Sequence, residues 1–373
     1  MAKAVYVGVG SKAHKMKKAY IGIGGKARKV KKMYIGVGGK ARLCYSAELE
    51  RYGMAAALST TRYDMRAATV GKYALFAGGY ISKSSFGYSV SSSVDAYNTS
   101  LTKSTPTELS CKRCGHAAAS VGGYALFAGG ASSYNFLGYG NILSSVDAYD
   151  ASLTRSAAHI IGATVAIGGA AVGNYALFAG GTVYSQINED NVTSDVLAYD
   201  PSLTFTTAPL LSVARANVKG ASAGNYALFA GGRADGFCTT VDAYNASLTR
   251  TTATALSSTK NNSAAATVGN HAIFVGNTAS ADIYDASLTK TSAAILSTAR
   301  TGLAATTVGD YAIFSGGGVA DFCDASLTRS SIGTSMTGYD MGAATIGDYA
   351  LFAGGHSGEK SDTAYDSVEV YTA

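Results

Sequence analysis

No carboxylate occurs before Glu48, no tryptophan occurs anywhere in the 373 residues, and there are only three prolines and five cysteines. Each shortage excludes something. Cys44, Cys111, Cys114, Cys238 and Cys323 are too few and too irregular for a disulfide framework, so a reducing cytoplasm is the expected place of synthesis. No long apolar run follows the basic start, which predicts neither a signal peptide nor membrane insertion. The five histidines show no metal spacing, and the lone C-x-x-C of Cys111 and Cys114 lacks the second pair that zinc requires. The acidic run "NEDN" at 188–191 offers oxygen ligands without the spacing of a known calcium loop. No metal and no cofactor are therefore expected.

What is there is glycine (45), tyrosine (25) and an uneven charge. Residues 1–47 hold ten Lys and two Arg against no acid, leaving 18 basic groups against all 24 acidic ones in residues 48–373. A basic segment therefore precedes a mildly acidic body, and such a split predicts a tail with its own partner.

The body is repetitive. "YALFAGG" stands at 73–79, 124–130, 175–181, 226–232 and 349–355, with "HAIFVGN" at 271–277 and "YAIFSGG" at 311–317. A second element follows, as in "VDAYNTSLT" (94–102), "VDAYDASLT" (146–154) and "VDAYNASLT" (241–249). Each unit of 38 to 51 residues reads as four short strands: a small-residue strand a, the "YALFAGG" strand b, the "VDAY" strand c and a Thr/Ser-rich strand d. Glycine turns ("VGNY", "IGDY") join a to b, and an Asx-Ser turn joins c to d. The seventh unit has only a, b and c. "ERYGMAAALSTTR" (50–62) aligns with the missing strand d, so residues 50–58 are expected to close the last unit and leave no free edge.

The Gly-Gly after strand b, the apolar residues before it and the Tyr some eighteen residues later resemble the Kelch repeat over residues 50–373. The resemblance implies an all-β, seven-bladed propeller with four-stranded blades. Kelch blades usually carry a Trp in strand d, and its absence here implies packing by small residues. Sialic-acid-processing enzymes and a copper oxidase share that fold, but nothing in these residues points to either chemistry, and the expectation is a non-enzyme.

In such a blade the a–b and c–d turns share one face, and the b–c loops and d–a connections share the other. The first set is nearly constant. The b–c loops are long in units one (80–93), two (131–145), three (182–195) and seven (356–367), which adjoin in a closed ring. They are rich in Tyr, Ser, Gly and Asn, the composition of an adaptable binding surface. The predicted ligand-binding residues are Tyr63, Tyr80, Phe86, Tyr88, Tyr134, Phe136, Tyr139, Tyr184, Asn188 and His356. The d–a positions Tyr63, Cys114, Val165, Ala216, Asn261, Thr301 and Tyr339 vary with them and are expected on the same face. An enzyme on that face would use His116 or Asp190. The plain alternative is that long loops are tolerated insertions.

The basic segment repeats every 14 residues: "VYVGVGSKAHKMKK", "AYIGIGGKARKVKK", "MYIGVGGKARLCYS". Its "GGKA" is not a phosphate loop, because Ala follows the Lys and no helix pattern comes after. Alternation instead predicts a strand and turn per repeat, a β-hairpin repeat arm over residues 1–47 that pairs with copies of itself or with a partner. Such repeats resemble N-terminal arms of phage minor structural and tail-associated proteins, and trimeric fibre shafts. That resemblance implies a virion protein made in the host bacterial cytoplasm, whose arm docks on virion or tail proteins through Tyr6, Tyr20, Lys26, Arg28, Tyr34 and Lys40 and could trimerise. Nucleic acid is the rival partner for twelve cations, but lysines on strands also guard edges, and it is not expected. The propeller is then expected to bind a host-surface glycan or protein; a decoration scaffold or a carbohydrate-active enzyme are the alternatives.

Overall fold

The computed structural model describes residues 6–9, 12–15, 19–23, 26–30, 32–37, 40–46, 48–84, 87–135, 138–158, 162, 164–183, 191–260, 264–358 and 363–373. Among them there is no helix; the strands form eight four-stranded antiparallel sheets and three two-stranded ones.

Seven of the eight repeat one plan, and the architecture is propeller-like. The second unit is representative: Ala117–Val121, Tyr124–Ala128, Val146–Asp150 and Arg155–Ala157 lie side by side in that order. In the sheet built from the last unit, Gly342–Ile346, Tyr349–Ala353 and Val368–Thr372 are completed by Glu50–Met54, with Glu369 opposite Met54 and Thr372 opposite Glu50. The strand a of each such sheet lies against those of its two neighbours, and that of the last unit lies against that of the first.

The sequence explains this packing. Strand b is apolar throughout because both its faces are covered. Leu75 and Ala77 pack with Ala125, Phe127 and Tyr149 of the next sheet, while Ala74 and Phe76 pack with Leu351, Ala353 and Val370 of the preceding one. Strand a is small because neighbouring backbones approach there: a Cβ on Gly169 would stand 2.5 Å from the Ala118 carbonyl oxygen. The bulk that tryptophan would supply comes from edge-to-face Phe–Tyr pairs such as Phe127–Tyr149, whose buried phenol donates to the Thr107 carbonyl at 2.8 Å.

A polar cluster recurs inside the sheets that the repeat alignment alone does not reveal. In the fourth unit Asp242 of strand c is fully buried and accepts from Arg215 (2.9 Å), Arg250 (3.1 Å) and both the amide and hydroxyl of Ser212. Asp95, Asp147, Asp282 and Asp321 have the same three kinds of partner, with Lys260 replacing the inner Arg beside Asp282. The last unit uses Glu369 with Arg51 and Ser335. The third unit lacks the cluster: Leu197 stands for the acid, Thr164 for the inner Arg and Phe205 for the outer one. A void of about 40 Å³ bordered by Thr164 and Leu197 remains there.

The eighth sheet is not a repeat unit. Tyr80–Ser84 and Gly87–Val90 come from the first b–c loop, Ala131–Asn135 and Gly138–Ile142 from the second, and Tyr88 pairs with Tyr134 to join them. Both were read from the sequence as long b–c loops. Each instead continues strand b past its Gly-Gly into a hairpin, and two hairpins side by side satisfy each other's edges.

Among the described residues the basic repeats form β-hairpins, as read from the sequence. Each folds on itself as a two-stranded hairpin: Tyr6–Val9 with Lys12–Lys15, Tyr20–Ile23 with Lys26–Lys29, Lys32–Val37 with Lys40–Ser46. The lysine-rich half of each repeat is itself a strand, because a partner two residues away costs the least loop entropy. Tyr6 and Tyr20 stand opposite Lys15 and Lys29; Lys26, Arg28 and Lys40 stand opposite Ile23, Ile21 and Val37. Tyr34 and Ile21 are exposed.

Candidate binding site

The seven strands a surround a channel of about 210 Å³ lined mostly by Ala and Gly, with Arg66 and Lys219 as its two charged side chains. At the end that carries the b–c loops it opens into a cup of about 360 Å³. The cup and the channel share Arg66, Lys219, Leu303 and Met341, so the two spaces are continuous.

Tyrosines form the wall of the cup. Ring centroids run from Tyr63 to Tyr80 (5.3 Å), Tyr88 (5.3 Å), Tyr134 (5.3 Å) and Tyr139 (5.0 Å). On the other side Tyr63 meets His356 at 4.7 Å. The eighth sheet creates this row: side chains two apart on a strand share a face, and the Tyr88–Tyr134 register aligns the two hairpins. Burial raises the pKa of the Tyr80 and Tyr139 phenols, so both stay neutral hydrogen-bonding groups.

The floor is charged. The d–a corner residues Asp64, Gly115, Ala166, Asn217, Gly302 and Asp340 all have φ between 51° and 64°. That left-handed turn suits Asp, Asn and Gly. Backbone bonds of 2.7 Å tie neighbouring corners together, Asp64 N–H to the Asp340 carbonyl, Asp340 N–H to Gly302, Ala166 N–H to Gly115 and Asn217 N–H to Ala166. Asp64 accepts from Arg66 at 2.7 Å, and Arg66 also donates Nε–H to the His116 carbonyl at 2.9 Å. Burial works against the Arg66 charge, but Asp64 and then Asp340 outweigh it and raise its pKa. Burial, and after it the Arg66 guanidinium, lowers the pKa of Lys219, whose ammonium has neither a hydrogen bond nor an ion pair among the described residues. His356 Nδ1 accepts the Gly358 N–H at 3.2 Å, so Nε2 carries the proton and donates to Asp340 at 3.1 Å.

Six of the predicted residues therefore line one space: Tyr63, Tyr80, Tyr88, Tyr134, Tyr139 and His356. Phe86, Phe136, Tyr184 and Asn188, with Asp190 and Asn261, lie outside the described residues. Two expectations are corrected. His116 does not reach the varied face: it is fully buried against Phe127, and burial with the Arg113 and Arg66 charges lowers its pKa well below the ordinary value. Nor do all the d–a positions form a surface. Cys114, Val165 and Ala216 are fully buried in two-residue bridges to Ala131, Thr182 and Arg233, and Tyr63 is buried while lining the cup, whereas Thr301 and Tyr339 are half-buried. Their variation follows the loop above each of them. The sequence reading missed Asp64, Arg66, Asn217, Lys219 and Asp340; a signal existed in the triplet "YDM", shared by units one (63–65) and seven (339–341) alone.

The C-x-x-C pair is split by burial. Cys111 is exposed, whereas Cys114 is enclosed, hydrogen-bonded to the Ala131 carbonyl and pushed up to about 12. A thiol-alkylating reagent at pH 8 is expected to modify Cys111 and spare Cys114 until the chain is denatured; mass spectrometry of the labelled peptides checks this.

No protein-family model matches the chain, and no curated protein matches it in sequence.

Proposed function

We propose that this chain is a phage virion-type structural protein, tail- or particle-associated, in which a seven-bladed Kelch-like propeller (residues 48–373) reads a host-surface glycan or protein and the basic arm (residues 1–47) docks on virion or tail proteins. The observation that carries the reading is the cup itself. Five tyrosines and a histidine, drawn from three repeat units, meet over a charged floor at the mouth of a channel. Flat amphipathic rings give contact area at low entropic cost, and the phenols, carboxylates and cations around them fix orientation. His356 has both ring nitrogens engaged, which favours recognition over proton transfer at this site.

The register of the last sheet supports an anchor and a reader at opposite ends. Glu50, where the chain enters from the arm, pairs with Thr372 beside Tyr349, whereas His356 lies beyond Ala353 at the other end. Electron microscopy of purified particles with an antibody to the chain tests the assignment; a chain absent from particles would refute it.

The binding face has its own test. Replacing residues 80–93 and 131–145 together by short turns removes the eighth sheet and four tyrosines (Tyr80, Tyr88, Tyr134 and Tyr139) from the cup. Binding to host cells is expected to be lost while the unfolding transition persists, since none of the removed strands belongs to a repeat unit. Tyr134→Ala, which removes a ring packed against Tyr80, Tyr88 and Tyr139, is expected to weaken binding about ten- to a hundredfold. Undiminished adhesion in both variants would leave the loops as tolerated insertions.

A further inference from the structure

We propose that the ligand of the cup is an acidic sugar, its ring stacked on the tyrosine wall and its carboxylate or phosphate held at the floor by Lys219 and Arg66. This rests on the reading of the cup as the receptor-binding site and names the chemistry it selects.

Lys219 carries the argument. It occupies the first position of its strand a, where the other units have Arg66, Ala117, Gly168, Ala264, Ala304 and Gly342. Small residues are what the crowded centre asks for, so a lysine there is not required by packing. Unlike Lys260, which is buried and paired with Asp282, the half-buried Lys219 has no anion within hydrogen-bonding or ion-pair distance among the described residues. A cation without a counterion, set in the lining that cup and channel share, attracts an anion entering from the cup. Arg66 adds a second positive charge. It commits Nε and one terminal nitrogen to His116 and Asp64, and its other terminal nitrogen makes no hydrogen bond among the described residues.

The remaining groups discriminate among anions. Asp64 and Asp340 border the same space, so a ligand of several negative charges, such as an acidic peptide, meets two carboxylates as well as two cations. A sugar with a single acidic group meets the cations with that group and offers hydroxyl donors to the carboxylates. The tyrosine faces take the apolar side of its ring. A small inorganic anion would leave that wall unused.

The test uses the full chain, an oligosaccharide with one uronic acid, its neutral counterpart and the same oligosaccharide carrying one phosphate, with inorganic phosphate and an acidic peptide as controls. Calorimetry is expected to show the uronic or the phosphorylated sugar binding about ten- to a hundredfold more tightly than the neutral one. That preference is expected to collapse to about one in Lys219→Met and to persist in Lys219→Arg, with thermal unfolding confirming that both variants fold. The two acidic probes separate a carboxylate from a phosphate source, and either supports the proposal. Equal affinity for the acidic and neutral sugars overturns it and leaves the receptor site standing. Binding of inorganic phosphate alone, or of an acidic peptide and no sugar, overturns it as well. Host-cell adhesion measured in parallel separates the two levels: adhesion without any acidic-sugar affinity refutes the sugar class only, and the lack of both refutes the receptor reading too.

Discussion

Asp242→Leu is expected to destabilise the chain by about 3–5 kcal/mol, and adding Arg215→Thr and Arg250→Phe to it should recover most of the loss. Asp242 and Arg215 are both fully buried. Removing the acid alone strands the Arg215 guanidinium, which would keep only carbonyl partners at Gly231, Val213 and Phe229. The buried charge then has no counterion, and that is the costly half of an ion pair. The triple variant removes every charge together and installs the residues the third unit already carries at these positions, Leu197, Thr164 and Phe205. There Leu197 and Phe205 pack against a cluster that includes Ile167 and Phe178. The protein thus contains both solutions to the same interior, one ionic and one apolar. Urea unfolding of the single and triple variants decides the matter. If the triple variant falls below Asp242→Leu, the cluster is valued for its hydrogen bonds to Ser212 and the carbonyls, and the counterion argument fails.

The repeating skeleton was legible because it is written in local terms. Gly-Gly after each "YALFA" holds φ of 64° to 66° and then 94° to 115° in units one to four and seven, and a Cβ at Gly78 would stand 2.6 Å from the Arg113 carbonyl oxygen. The Asx turn is equally local, with the Ser152 and Thr154 amides both donating to Asp150 Oδ1. The closing strand was legible as a gap in the last unit and a surplus before the first. What escaped the reading depends on distance. The clusters around Asp95, Asp147 and Asp242 join each acid to a Ser and an Arg 27 to 37 positions before it, whose types recur too weakly to catch the eye beside the aromatic repeats, although "STTR", "SCKR" and "SVAR" precede them. In the cup, the tyrosines stood out because loop composition marks them. Lys219 did not, since nothing in "NVKG" says that the strand it opens faces a channel.

Removing residues 1–47 is expected to leave the unfolding transition within a few degrees of the full chain, whereas removing residues 1–55 is expected to abolish soluble folding. The difference lies in the strand Glu50–Met54. Its partner Val368–Thr372 is among the most enclosed strands of the protein, with Val368, Val370 and Tyr371 fully buried. Without the fourth strand Val370 and Tyr371 face water on one side, and burial of such side chains is worth about 1.5–3 kcal/mol each. Glu369, also fully buried, loses Arg51. Leu49, which packs with Phe322, Met336 and Tyr371, goes with the same segment. The bared strand would also offer its unpaired N–H and C=O groups to a second copy, so aggregation rather than a merely softened transition is the expected outcome. Gly53 gives a finer probe. At φ +141° it lies where the register shifts between Val370 and Tyr371, a conformation that a β-branched residue resists. Gly53→Val should therefore lower the melting temperature without unfolding the chain at 25 °C. A 56–373 fragment that stays monomeric with an unchanged melting temperature would show that the last sheet does not need its closing strand.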